Sequence, residues 1–68
     1  MLKVIERATG KVVNEWNMEN VKSYPKFDTL DAMRNDEKHE SFYFMVEFKG
    51  LGYGLGMWEV DKYDLVLA

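Results

Sequence analysis

From Ser41 to Lys49 the chain alternates, with Phe42, Phe44, Val46 and Phe48 at one parity and Tyr43, Met45, Glu47 and Lys49 at the other. A period of two is that of an extended strand, whose successive side chains point to opposite faces. Glycine then falls at 50, 52, 54 and 56, every second residue before Trp58. Glycine is entropically costly inside a strand, so this spacing predicts a tight turn followed by a surface that something approaches closely. Gly50-Leu51 reads as a two-residue turn with glycine first, as a type II′ turn prefers. That turn sets Phe48, Val46 and Phe44 opposite Tyr53, Leu55 and Met57. On the reverse side it sets Glu47, Met45 and Tyr43 opposite Gly54, Gly56 and Trp58. A second turn at Asp61-Lys62 brings residues 63–68 back alongside, pairing Val60 with Tyr63 and Trp58 with Leu65. It also sets Glu59 opposite Asp64, a like-charge pair that argues for a different turn length.

The first sixteen residues predict a hairpin: Leu2 to Arg7, a loop at Ala8-Thr9-Gly10, then Lys11 to Trp16. With Gly10 in the left-handed region, Ile5 faces Val13, Lys3 faces Glu15 and Leu2 faces Trp16. Residues 17–27 mix turn formers with isolated apolar side chains and read as a connection with one helical turn. Asp28 offers an N-cap to a short helix over about 29–38, with Leu30 and Met33 on one side. Together these elements describe a single α+β domain over residues 1–68 in β-β-α-β-β-β order. Its sheet is mainly antiparallel, with one short helix packed on a face.

In this register the C-terminal meander is apolar on both sides. One face carries Phe42, Phe44, Val46, Phe48, Tyr53, Leu55, Met57 and Val66; the other carries Tyr43, Met45, Trp58, Val60, Tyr63, Leu65 and Leu67 around a gap at Gly54 and Gly56. An antiparallel sheet commonly keeps one face wet, so two apolar faces imply two covers, and one short helix supplies only one. Leaving ~300 Å² of apolar surface in water forgoes roughly 7 kcal/mol, comparable with the whole stability of a small domain. The second cover is therefore the N-terminal hairpin, making a two-sheet sandwich or barrel, or else another chain. The expected interaction surface is Tyr43, Met45, Gly54, Gly56, Trp58, Val60, Tyr63 and Leu65.

Size sharpens the point. The chain has 68 residues, 47% of them hydrophobic and 15% aromatic, with one proline and no cysteine. A chain this short buries only about 60% of its unfolded surface, and without disulfides or thiolate metal sites it holds by packing alone. Nine basic and twelve acidic residues give a net charge of −3. The five cations before Asp28 outnumber three carboxylates, so the acidity lies in residues 28–68. An acidic chain with no basic cluster is a poor grip for phosphate backbones, which argues against nucleic acid as a partner. No run approaches the ~18 apolar residues of a membrane span and none resembles a signal peptide, so a cytoplasmic chain with no membrane contact is expected.

Reactive chemistry is sparse. The glycines fit neither G-x-G-x-x-G, since Leu55 and Met57 stand where its third glycine belongs, nor a P-loop, which needs a following Gly-Lys-Ser/Thr. Asp36-Glu37-Lys38-His39-Glu40 gathers metal-ligand residue types around one imidazole, with no second histidine; a charged helix end is the simpler reading. His39 stands near Ser41 in sequence, yet nothing orients it as a base. No catalytic, cofactor or metal residue is therefore assigned. The expectation is a non-enzymatic protein-interaction or accessory regulatory domain, binding itself as a homodimer or higher oligomer, or binding another protein. A short free-standing chain of this kind suits a phage or bacterial accessory protein. The alternative is a single-stranded nucleic-acid module stacking bases on Tyr43, Trp58 and Tyr63, against which stand the neighbouring Glu47, Glu59, Asp61 and Asp64.

Overall fold

The computed structural model describes residues 1–36, 41–50 and 54–68. The strands are β1 (Leu2–Glu6), β2 (Val12–Trp16), β3 (Val21–Ser23), β4 (Tyr43–Phe48), β5 (Leu55–Glu59) and β6 (Tyr63–Leu67), with one helix, α1 (Phe27–Arg34), between β3 and β4. They form two antiparallel three-stranded sheets, β2-β1-β6 and β3-β4-β5. The α+β class and the single short helix agree with the sequence pattern; the pairing of the last strand does not.

The N-terminal hairpin forms as its side chains require. Leu2 pairs with Trp16 and Lys3 with Glu15. A bulge then shifts the ladder, so Ile5 meets Val12 instead of Val13. Gly10 has φ of 73°, the left-handed value for which glycine carries no Cβ penalty, and its N–H donates to the Glu6 carbonyl at 2.7 Å. A helical turn, Met18–Asn20, follows. The three-residue β3 was not foreseen, because Val21 is its one apolar residue and no alternation announces it.

The helix begins at Phe27, earlier than the Asp28 cap implied, with Lys26 at the N-cap and no side-chain cap among the described residues. Asp28 lies inside the first turn, its Oδ1 accepting from the Thr29 N–H at 2.9 Å. The helix ends at Arg34, short of 38; residues 37–40 lie outside the described chain. Leu30 enters the core and Met33 packs against it.

Two corrections concern β5. Tyr43 faces Glu59, Phe44 faces Trp58, Met45 faces Met57 and Val46 faces Gly56, one residue away from the register of a two-residue turn. Residues 51–53, on which the expected Phe48–Tyr53 pair falls, lie outside the described residues; Gly50 has a positive φ of 74°. A slip of one residue turns every side chain of a strand to the other face. Gly56 and Trp58 therefore join Phe44 and Val46 on the inner face, while Leu55 and Met57 turn outward with Tyr43 and Met45.

The second correction is that β6 leaves this sheet. It pairs with β1, Leu2 to Leu67 and Val4 to Leu65, and the expected pairs Val60–Tyr63 and Trp58–Leu65 do not form. The Val60 N–H still donates to the Phe42 carbonyl at 2.7 Å; two residues on, the Lys62 carbonyl accepts from the Arg7 N–H at 2.9 Å. The chain thus changes sheets at the 60–62 corner. The change separates Glu59 from Asp64, which instead meets Arg34 at 3.2 Å and Arg7 at 3.7 Å.

Arg34 holds that corner from the helix. Its Nε donates to the Val60 carbonyl at 2.7 Å, Nη2 to the Tyr63 carbonyl at 3.0 Å and Nη1 to Asp31 Oδ1 at 3.0 Å. Its side chain is only 17% exposed, and the planar fork of guanidinium donors suits several fixed acceptors at once.

Between the sheets lies the core: Leu2, Val4 and Leu65 from one, Val21, Phe44 and Val46 from the other, with Leu30 and Val60. Trp16 bridges the sheets, its ring centroid 4.9 Å from Phe48 and 5.5 Å from Trp58; Trp58 stacks on Phe44 at 5.4 Å. The N-terminal hairpin, joined by β6, therefore covers the inner face of β4 and β5; the second cover expected for their other face is not supplied within the chain, because the register slip leaves Tyr43, Met45, Leu55 and Met57 open to solvent there.

Candidate interaction face

One face of the β4–β5 ribbon looks into the core and the other into solvent. The outward set is Tyr43, Met45 and Glu47 from β4 with Leu55, Met57 and Glu59 from β5, by the period of two. Its apolar members are unusually open: Tyr43 is 56% exposed, Met45 52%, Leu55 49% and Met57 61%. Met45 and Met57 are direct cross-strand partners at the centre. Single exposed apolar side chains are ordinary, but four adjoining on one face make a contiguous patch of the kind that marks binding sites.

Charged groups frame the patch at opposite corners. Glu47 accepts from Lys22 Nζ at 3.4 Å and from Ser23 Oγ at 3.2 Å, both from the neighbouring β3. Glu59 meets Lys62 Nζ at 3.4 Å. Each carboxylate thus has its own ammonium, and the rim is electrically balanced although the chain as a whole is acidic. The outer edge of β5 pairs with no strand among the described residues.

The expected surface divides between this face and the interior. Tyr43 and Met45 belong to the open face. Gly54, Gly56 and Trp58 lie on the inward side of the ribbon, Val60 and Leu65 are buried, and Tyr63 on β6 is half-buried against the core. The cause is the register slip together with the departure of β6. The glycine gap is filled from within: a Cβ on Gly56 would coincide with the six-membered ring of Trp58, which folds back over its own strand. Leu55 and Met57, expected inward, are the members that sequence reasoning missed. The clue was Trp58 itself, since a large ring two residues after a glycine can lie over the missing side chain on the same face.

The base-stacking trio does not share a platform. Tyr43 faces solvent on β4, Trp58 stacks inward on Phe44, and Tyr63 sits on the other sheet. Of the Asp36–Glu40 cluster only Asp36 falls within the described residues, among which no group of three His, Asp or Glu side chains gathers to hold a metal ion. Nor is any helix among them long and apolar enough to cross a membrane.

A separate open cavity of about 300 Å³ lies between the hairpin loop and the 60–62 corner, lined by Glu6, Arg7, Ala8, Asp61, Lys62 and Tyr63. Its charges are largely committed inside the molecule: Arg7 to Asp64, Lys62 to Glu59, and Glu6 to the Thr9 hydroxyl at 3.0 Å. Comparison with protein-family models, curated proteins and solved structures gives no match.

Proposed function

We propose that this chain is a small accessory domain that acts in the cytosol by protein contact, not catalysis, through the outer face of β4 and β5. The observation that carries the reading is the adjoining exposure of Tyr43, Met45, Leu55 and Met57 on one ribbon whose other side is packed. Methionine adapts its shape to a partner, and aromatic anchors carry a large share of interface energy. Each ~300 Å² of apolar surface removed from water is worth roughly 7 kcal/mol, against an association cost of roughly 4–15 kcal/mol. The patch therefore supports modest affinity by itself and tighter binding only where the rim also finds partners.

The test uses a substitution that leaves the interior alone. Met57→Lys places an ammonium at the centre of the face, at a site already open to water. Immobilised wild-type chain retains a protein partner, or a second copy of itself, that the substituted chain releases. Equal retention by both chains, with unchanged circular dichroism, refutes the reading.

A further inference from the structure

Building on that reading, we infer that the occupant of this face is a second copy of the chain, packed sheet on sheet about a two-fold axis over the Met45–Met57 pair. The outward residues of β4 run Tyr43, Met45, Glu47, and those of β5 run Leu55, Met57, Glu59. Each row has a methionine at its centre and a carboxylate at one end. The register sets the two centres side by side, so the carboxylates occupy diagonal corners.

A two-fold axis lying across the strands lays each Met45 on the partner's Met45 and each Met57 on the partner's Met57. It brings the Tyr43 hydroxyl over the partner's Glu47, where the phenol donates a charge-assisted hydrogen bond to the carboxylate, twice by symmetry. Leu55 meets the methylene stem of the partner's Glu59. No carboxylate faces a carboxylate, and Lys22 and Lys62 already balance Glu47 and Glu59 within each copy. The face is complementary to itself although each chain carries a charge of −3.

The open strand edges, of β2, β3, β5 and β6 among the described residues, offer a poorer solution, since adding a strand at any of them lengthens a sheet without covering the outer face of β4 and β5. Addition at β2 is spoiled by the bulge between Val12 and Asn14, a device that deters strand pairing. Addition at β5 would extend the sheet but leave Tyr43, Met45, Leu55 and Met57 as wet as before. Stacking alone covers them, with sheets ~10 Å apart and strands within ~30° of each other. A standard interface takes ~800 Å² from each partner, roughly a sixth of the 4878 Å² surface here. The apolar four must be joined by the rim to reach it, which sets the expected dissociation constant in the micromolar range.

Sedimentation equilibrium and native mass measurement of the intact chain, from micromolar to millimolar concentration, test the arrangement. The wild type is a dimer. Met57→Lys weakens it at least about tenfold, and so does Tyr43→Glu, which sets a carboxylate against the partner's Glu47. Adding Glu47→Gln to Tyr43→Glu restores the dimer, because the amide then donates to the new carboxylate across the axis while Lys22 gains no like charge beside it. Thermal melts of the variants stay near wild type, showing that the fold is kept. A wild type that is monomeric throughout overturns the inference, as does a dimer indifferent to Met57→Lys or one not rescued by the paired swap. A monomer that still captures a different protein through Met57 overturns the second copy alone; a monomer without Met57-dependent capture overturns the contact reading as well.

Discussion

Replacing Gly56 with alanine puts a methyl carbon where the Trp58 ring lies. In an open strand the change would be mildly stabilising, by about 0.4–1 kcal/mol, because alanine has less chain entropy to lose on folding. Here the ring has little room to slide: its centroid is 5.4 Å from Phe44 on one side and 5.5 Å from Trp16 on another. Either the strand shifts, at the roughly 1–3 kcal/mol typical of overpacking, or the indole is expelled, approaching the ~3–5 kcal/mol of losing a large core aromatic. At mid-range both outweigh the entropy gain, so the net loss is about 1–3 kcal/mol, a large part of the stability of a domain this size. Thermal and urea melts followed by tryptophan fluorescence read it: the midpoint falls by at least about 4 °C, and folded-state emission shifts to the red if the ring leaves. In a Trp58→Leu background the same substitution costs far less, since the clash is with the ring. An unchanged or raised midpoint for Gly56→Ala would show that the indole does not occupy the glycine, and the account of the inner face would fail with it.

Two further substitutions probe the frame. Arg34→Lys keeps the charge but loses the fork that serves the Val60 and Tyr63 carbonyls together, costing about 1–3 kcal/mol in denaturant melts; a loss below ~0.5 kcal/mol would mean the corner stands without it. Gly10→Ala meets open space, so only its left-handed backbone matters, and a loss of about 1 kcal/mol is expected; a stabilised variant would contradict the positive φ.

What could be read from residues alone follows how local each signal was. The hairpin of β1 and β2 was legible because Lys3 against Glu15 and Leu2 against Trp16 reinforce one register, and Gly10 marks its turn. The alternation from Phe42 to Phe48 identified β4 and its inward face, but the expectation that both faces of the ribbon are covered was not met within the chain, since Tyr43, Met45, Leu55 and Met57 stay open. The β4–β5 pairing was not fixed locally: evenly spaced glycines allow two- and three-residue connections alike, and that one-residue difference decided whether Trp58 or Met57 met the core. The path of β6 was also hidden, since Leu65 and Leu67 pair as readily with one apolar strand as with another. The like-charge contact of Glu59 with Asp64 was a true warning, and its resolution needed Arg34, thirty residues earlier in the chain. Half of the candidate face, Tyr43 and Met45, was therefore visible, and the half supplied by Leu55 and Met57 was not.

The pairing of Leu2 with Leu67 makes β1 the partner of β6. Leu2 and Leu67 lie 65 residues apart (67 − 2), and contacts so remote in sequence slow the search for the native state. During translation β1 and β2 can meet at once, yet Leu2 and Val4 lack the strand that completes their shelter until the residues around Leu67 have left the ribosome. Nascent chains stalled before β6 emerges should consequently be sticky and easily cleaved by proteases, becoming resistant in one step as β6 docks.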